Sequence, residues 1–148
     1  MQAALEAKRV HKTRRRTGYA AHTWSSGEMY EGEWKDGVMH GKGLYRYADD
    51  HVDENQTRAS ERGLHRYEGE FSEGKFNGKG LKHSQNGDRY EGEFKDGKFH
   101  GKGVFFCKNT GETYEGGFWK GRFHGRGVQI SQDGTRLSVL HDAKRDNA

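Results

Sequence analysis

The stretch Tyr30-Glu31-Gly32-Glu33-Trp34 is the first of four closely similar phrases that decide the fold of this chain. The other three are Tyr67-Glu68-Gly69-Glu70-Phe71, Tyr90-Glu91-Gly92-Glu93-Phe94 and Tyr114-Glu115-Gly116-Gly117-Phe118. Each is followed by a Gly-Lys-Gly or Gly-Arg-Gly phrase, which begins at Gly41, Gly78, Gly101 or Gly125. The last two tyrosine spacings are 23 and 24 residues. A period of this length indicates a repeat protein whose units complete their cores against one another.

Side chains alternate between the two faces of a strand, so Tyr30, Gly32 and Trp34 share one face while Glu31 and Glu33 share the other. The second phrase alternates in the same way. A short turn, predicted to run from Asp36-Gly37 through His40-Gly41, joins the two strands into a hairpin. The sequence therefore predicts an all-β fold, a single-layer twisted antiparallel ribbon of stacked β-hairpins over residues 18–140.

A glycine recurs between the two aromatic residues of each phrase, on their face of the strand. Without a side chain, such a position opens a slot for a neighbouring ring or backbone. The glycines concerned are Gly32, Gly69, Gly92 and Gly116, with Gly43, Gly80, Gly103 and Gly127 on the partner strands. We expect aromatic rings to stack along the ribbon through these slots.

These phrases resemble the MORN repeat (membrane occupation and recognition nexus), with its Tyr-Glu-Gly-Glu-Trp, His-Gly-Lys-Gly and Asp-Gly elements. The repeats lie near residues 30–47, 67–83, 90–107 and 114–130. The departures are Gly117 for the second Glu, Asn77 for His and an insertion at 49–65. Leu137 takes the tyrosine position of a degenerate fifth unit. Few residues follow the repeats, so the resemblance implies a MORN-only protein without the catalytic domain that follows such repeats in some methyltransferases and lipid kinases.

The composition is polar but not that of a disordered chain. In 148 residues, 30% are hydrophobic, the mean hydropathy is −1.23, and aromatic residues reach 12% and recur periodically. No apolar run has the length of a membrane span or of a signal-peptide core. Together with the single Cys107, this predicts a cytosolic or nuclear location, of which we adopt the cytoplasmic one.

The net charge of +4 is concentrated near the N-terminus. Residues 1–17 are predicted to form a flexible basic arm that carries Lys8, Arg9, Lys12, Arg14, Arg15 and Arg16. Such an arm either stays solvated or binds an acidic protein surface such as tubulin tails, an anionic lipid or a nucleic acid. It lacks the interleaved aromatics of single-strand binders and the apolar face of a membrane helix, and the resemblance favours the protein surface.

Two further segments are interpreted from composition. The insertion at 49–65 has few apolar residues, and a mobile loop or a partner contact are both open readings. Residues 141–148 are assigned to a C-terminal tail.

No residue pattern indicates catalysis. His40, His100 and His124 recur at one repeat position, two strands or about 10 Å apart, so they cannot converge on one metal ion. The paired glutamates repeat along an exposed face and are interpreted as a solvated surface. The glycines precede no helix and so form no phosphate-binding loop. We expect a protein that is not an enzyme and has no cofactor, metal or catalytic residues.

The aromatic face has two readings. Its rings either stack only with one another or leave a groove that binds a partner. The resemblance implies such a groove, which would accept a helix or an extended peptide and be lined by Trp34, Tyr67, Phe71, Tyr90, Phe94, Tyr114 and Phe118. It further implies a non-enzymatic scaffold in a ciliary or flagellar axoneme, including radial spokes, or in the basal-body cytoskeleton. The alternative is a peripheral adaptor that tethers membranes by binding anionic lipids through the arm.

Overall fold

The computed structural model describes residues 16–48 and 65–141, so Lys8 to Arg15 of the predicted arm, residues 49–64 and residues 142–148 lie outside the described residues. The described ranges form one antiparallel sheet of ten strands, and each strand pairs with the one before it in sequence. The predicted ribbon of hairpins is confirmed. The strands are β1 (Gly18–Thr23), β2 (Met29–Lys35), β3 (Val38–Arg46), β4 (Arg66–Ser72), β5 (Lys75–His83), β6 (Arg89–Lys95), β7 (Lys98–Cys107), β8 (Glu112–Trp119), β9 (Arg122–Ile130) and β10 (Arg136–His141).

The four complete repeats are the hairpins β2–β3, β4–β5, β6–β7 and β8–β9, and each closes through a two-residue turn. In the first turn, Asp36 and Gly37 have φ angles of 50° and 80°. Two successive positive φ values define the turn type whose twist matches that of the flanking strands. Pairing therefore continues to the turn itself, with Lys35 opposite Val38. The predicted turn through His40-Gly41 was too long, because these two residues belong to β3.

Each hairpin contains a bulge at the same place. In the first repeat, Gly32 lies opposite Gly43 and Trp34 lies opposite Met39, so three residues of β3 face the single residue Glu33. The same shift recurs in the other three repeats. The extra residues bend β3 locally and carry Gly41, whose φ is 64°.

The core lies on one side of the sheet, here called the aromatic face, which carries the tyrosine and the second aromatic residue of each phrase. The opposite side, which carries Glu31, Lys42 and Leu44 in the first repeat, is called the polar face. The buried hydrophobic side chains of the described residues are Tyr30, Trp34, Met39, Tyr45, Tyr67, Phe71, Phe76, Tyr90, Phe94, Tyr114 and Phe118.

The predicted glycine slots are occupied. A Cβ atom on Gly43 would lie 2.4 Å from the ring of Tyr30, and one on Gly32 would lie 2.4 Å from the Cα of Gly43. The two glycines of the slot therefore lie against each other and against the tyrosine of their own repeat. The Tyr30 hydroxyl crosses the slot and donates a hydrogen bond to the carbonyl of Glu33 at 2.6 Å.

Strand β1 takes the place of the second strand of an incomplete preceding unit. The Gly37 N–H donates to the carbonyl of Arg16 at 2.9 Å, just as Gly74 N–H donates to Met39 at 2.9 Å. The Arg16 guanidinium lies 5.8 Å from the Trp34 ring centre. Arg16 and Thr17 were assigned to a flexible arm by their charge and position, but they pack on the first hairpin turn.

The predicted fifth unit contributes β10. Leu137 lies opposite Gln129, in the cross-strand row of the tyrosines, but it is largely exposed. The aromatic stack does not continue through it. On the other side of the insertion, the Tyr47 N–H donates to the His65 carbonyl at 3.0 Å, so pairing between β3 and β4 reaches residue 65.

Candidate partner-binding surfaces

The structure places the residues predicted to line a partner groove inside the core. They are Trp34, Tyr67, Phe71, Tyr90, Phe94, Tyr114 and Phe118, and their side chains are only 0–3% exposed. Contact with a partner stays a prediction for them. Their burial means that a partner would meet neighbouring side chains first.

The cause of this burial is a ring series along the ribbon. Tyr30 packs edge-on against Trp34 of its own repeat and Phe71 of the next, with both ring centres 5.0 Å away. Tyr67 and Tyr90 repeat the arrangement against the aromatic residues of their own and the following repeat. Each tyrosine thus joins two repeats, and its ring has little surface left for a ligand.

Buried tyrosines also use their hydroxyl groups internally. The Tyr90 hydroxyl donates to the carbonyl of Glu93 at 2.7 Å. Burial, with the nearby Glu93 carboxylate, raises the pKa of Tyr90 to about 12. The hydroxyl is therefore held as a neutral donor inside the core rather than presented as a recognition group.

An open aromatic surface exists beside this series, in the C-terminal half of the ribbon. Phe99, Phe105 and Phe123 are only half-buried. Phe105 lies 6.1 Å from each of the other two rings, centre to centre. With Arg122 and His141 they line an open groove of about 470 Å³. The sequence analysis did not single out these three rings, because alternation gives no sign that they, rather than the tyrosines, remain accessible.

A second cation, besides Arg122, borders the aromatic surface. Lys82 lies on β5 between Tyr67 of β4 and Tyr90 of β6, its two cross-strand neighbours. The equivalent position is occupied by Tyr45 in β3 and by Phe105 in β7. Its Nζ lies 5.8 Å from the centre of the Tyr47 ring. Burial lowers the pKa of Lys82. The aromatic face therefore combines apolar rings with Lys82 near its middle and Arg122 in the open groove.

On the polar face, the second glutamate of three repeats has a structural role that the sequence analysis missed. Glu33 Oε2 accepts a hydrogen bond from the Lys42 N–H at 2.5 Å. Glu70 and Glu93 accept equivalent bonds from the N–H groups of Lys79 and Lys102, at 2.5 and 2.6 Å. These glutamates were interpreted as a merely solvated surface, because strand alternation alone does not reveal the bulge that brings their carboxylates to the neighbouring backbone.

The recurring histidines do not converge, and within residues 16–48 and 65–141 no group of three or more His, Cys, Asp and Glu side chains could hold a metal ion. His100 and His124 instead flank Trp119, with ring centres 4.8 and 5.9 Å away. Trp119 is 47% exposed. No helix in the described part of the chain is long and apolar enough to cross a membrane.

Comparison with known proteins identifies the repeat. The family model described as MORN repeat matches residues 30–52, 67–89, 90–111 and 114–136, which together cover more than half of the chain. Each match begins at the tyrosine that enters a glycine slot. No curated protein matches the chain.

Proposed function

The chain belongs to the MORN-repeat family, whose repeats generally bind proteins or membranes, and we propose that it is a non-enzymatic scaffold that holds a partner polypeptide on its aromatic face. The observation that carries this proposal is the half-buried trio Phe99, Phe105 and Phe123 around an open groove. Aromatic side chains in such settings contribute most of the binding free energy in many protein interfaces.

The groove fits an apolar anchor from a partner. Its three rings stand on β7 and β9, so paired strands rather than loops hold them. A rigid aromatic surface loses little conformational entropy when a partner packs on it. Lys82, two strands from Phe105 in the same row, would favour a partner segment that carries a carboxylate about 10 Å from its apolar anchor.

Several finer parts of the proposal rest on the family resemblance. We place the scaffold in the cytoplasm, in a ciliary or flagellar axoneme, a radial spoke or the basal-body cytoskeleton, because MORN-only proteins occur in such assemblies. Contact of the basic N-terminal residues with an acidic surface such as tubulin belongs to the same proposal. The absence of catalysis is proposed because the charged residues recur identically in successive repeats, whereas catalytic groups are usually unique.

A pair of substitutions, one on each face, tests the role of the aromatic face. Phe105→Gln introduces the residue that β9 already carries at the equivalent position, Gln129, so the ribbon should remain folded. Leu81→Gln is the control, because Leu81 lies on the polar face of β5, opposite Glu91, and lines neither this groove nor the one beside Gly117. Both variants and the wild type would be used to recover partners from an extract of ciliated cells, with circular dichroism and thermal unfolding measured in parallel.

We expect Phe105→Gln to remain folded and to lose its partner, while Leu81→Gln keeps it. Equal recovery by both variants would refute the aromatic-face proposal. Wild-type recovery of anionic vesicles but of no protein would instead support the membrane-tethering alternative.

A further inference from the structure

Three of the four repeats fill one position on the polar face with their own carboxylate. In each case the carboxylate lies beside the first glycine of the second phrase. A Cβ atom on Gly41, Gly78 or Gly101 would collide with the carboxylate of Glu33, Glu70 or Glu93 respectively. The same carboxylates accept the hydrogen bonds from the next residue's N–H described above. The position is thus shaped for a carboxylate and supplied with a backbone donor.

The fourth repeat leaves this position open. Its phrase has Gly117 where the others have glutamate, so no side chain reaches Gly125, the equivalent of Gly101. A Cβ atom on Gly125 would meet no atom within 4 Å. An open groove of about 860 Å³ lies next to this place, and its lining includes Gly117, His100, Lys102, Trp119, His124 and Arg126.

The walls of this groove suit an anionic side chain with an apolar stem. Lys102 and Arg126 contribute positive charge. The His124 Nδ1 atom is buried without a hydrogen-bond partner among the described residues. Trp119, 47% exposed, offers an apolar surface. The positions equivalent to Trp119 are Lys35, Ser72 and Lys95, so the fourth repeat departs from the others at two positions of the same site.

Charge at the other end of the groove limits what can bind. Glu91 and Glu115 line that end, on either side of Val104. Their carboxylates would repel a dianion such as a phosphate group about twice as strongly as a single negative charge at the same place. A monovalent, planar carboxylate is also the group that the other three repeats place here.

We propose that the fourth repeat is a receptor for a glutamate side chain of a partner polypeptide, whose carboxylate takes the place of Glu33, Glu70 and Glu93 in the other repeats. The Arg126 N–H is the backbone donor, as Lys102 N–H is for Glu93. The Arg126 guanidinium adds a charge-assisted hydrogen bond, and the aliphatic stem packs on Trp119. This site lies on the polar face, so it can fail or stand independently of the aromatic groove.

A carboxylate supplied by this chain itself, from residue 117, is blocked by the backbone of β9. A Cβ atom on Gly117 would lie 2.1 Å from the His124 carbonyl oxygen. A side chain at residue 117 therefore requires β9 to move, whereas a carboxylate that arrives from solvent meets open space beside Gly125. The fourth repeat is thus built to accept the group from outside.

The proposal is tested by nuclear magnetic resonance of the full chain titrated with sodium acetate, with sodium chloride at equal ionic strength as the control. We expect the Arg126 amide and the Trp119 indole N–H to shift and saturate with acetate only. The amides of Lys42, Lys79 and Lys102 are internal references, because their sites are already filled. No Arg126 shift, an equal shift with chloride, or equal shifts of all four amides would overturn the proposal, the last two by indicating an adventitious ion only.

Two reciprocal variants sharpen the test. Glu93→Gly gives the third repeat the glycine of the fourth and frees the carboxylate position, while Lys95 stays in the place of Trp119. The Lys102 amide should therefore acquire an acetate response. Gly117→Glu should abolish the response of Arg126 if the ribbon tolerates it. Where that variant fails to fold, Glu93→Gly decides alone, and a silent Lys102 amide in a folded Glu93→Gly ribbon contradicts the proposed site.

The source of the carboxylate is distinguished with two small probes. N-acetyl-glutamic acid α-amide carries only the side-chain carboxylate, and N-acetyl-glutamine carries only the terminal one. We expect the first to saturate the Arg126 shift at a several-fold lower concentration. Tighter binding of N-acetyl-glutamine would mean that the site accepts the C-terminal carboxylate of a partner and not a glutamate side chain. The Phe105→Gln variant should give the wild-type response, which separates this site from the proposed function.

Discussion

The two halves of the ribbon share one core pattern but cover it differently. In the N-terminal half, Met39, Tyr45 and Phe76 are each 1% exposed. Their counterparts in the C-terminal half are half-buried, and the groove of the proposed partner site lies among them. The phrases that build the slots are nearly identical in both halves. Exposure must therefore be decided by the residues around the phrases.

The covering residues follow the second phrase. Tyr45 lies 5.0 Å from Tyr47 and 6.2 Å from Trp24, ring centre to ring centre. Tyr47 stacks in turn on His65 at 3.9 Å. At the position of Tyr47, β7 carries Cys107 and β9 is followed by Ser131. Phe105 therefore has no ring at this position to cover it as Tyr47 covers Tyr45, so a repeat protein can form both a closed and an open surface from one structural unit.

The largest effect is expected at the glycine slots, which both halves of the ribbon share. Gly92→Val would place side-chain atoms 2.5 Å from the Cα of Gly103 and close to the Tyr90 hydroxyl. Overpacking of such a fitted site costs about 3 kcal/mol, whereas the exposed change Glu91→Val should stay within about 0.5 kcal/mol. Urea unfolding of both variants measures the difference. Similar unfolding free energies would mean that the slots do not hold the ribbon together.

A second prediction compares one position in the two halves. Tyr45→Ala removes a buried ring and should lower the unfolding free energy by about 3–4 kcal/mol, a cost typical of large-to-small core changes. Phe105→Ala removes a half-buried ring and should cost about half as much. Denaturant unfolding curves of the two variants check this. Equal losses would show that the C-terminal rings are as well packed as the N-terminal ones and would contradict the open groove.

The carboxylate position gives a smaller effect. Glu93→Ala leaves the Lys102 N–H without its charged acceptor and should cost about 1.5 kcal/mol, at the lower end for hydrogen bonds to charged groups because Glu93 is exposed. Glu91→Ala changes the exposed neighbouring glutamate of the same strand and is the control. Thermal unfolding of the two variants measures the difference in stability. Equal stability of the two variants would mean that the second glutamates are only solvated surface residues, as alternation alone suggests.

The smallest effect depends on pH. Because burial raises the pKa of Tyr90 from 10.0 to about 12, its contribution to stability is complete below pH 10 and is lost as pH rises toward about 12. Tyr90→Phe removes the hydrogen bond to Glu93, which costs about 1 kcal/mol at neutral pH. Above pH 10, its stability should fall less steeply than that of the wild type. Unfolding curves from pH 8 to 12 test this, and parallel slopes would contradict the assigned cause.

Local patterns were sufficient to predict the strands, the hairpin order and the glycine slots, because each depends on alternation and spacing. The accessible rings were not predictable. Alternation assigns Phe105 and Tyr90 to one face. It does not say which of the two rings is covered by further aromatic residues, as Trp24 and Tyr47 cover Tyr45. The bond from Lys42 to Glu33 was missed for a related reason, since it needs a bulge that strict alternation excludes.

Arg16 shows a signal that was present but overlooked. Its charge grouped it with the basic residues before it. The segment Arg16-Thr17-Gly18-Tyr19-Ala20-Ala21 nevertheless has the spacing of Met39-His40-Gly41-Lys42-Gly43-Leu44. The register places Gly18 opposite Trp34 and Ala20 opposite Gly32, as the repeat requires. Alignment of every segment to the repeat before charge is considered would have extended the predicted ribbon from Gly18 back to Arg16.

The link from Tyr30 to Phe71 has a consequence for synthesis on the ribosome. Because each tyrosine packs against the aromatic residue of the following repeat, a repeat cannot close its core until the first strand of the next one has emerged. Proteins are made from the N-terminus, so folding of the growing ribbon must lag translation by about one repeat. At the end of the series the following partner of Tyr114 is His141, 5.5 Å away. The fourth core therefore closes only after β10, the last strand in the described residues, has left the ribosome.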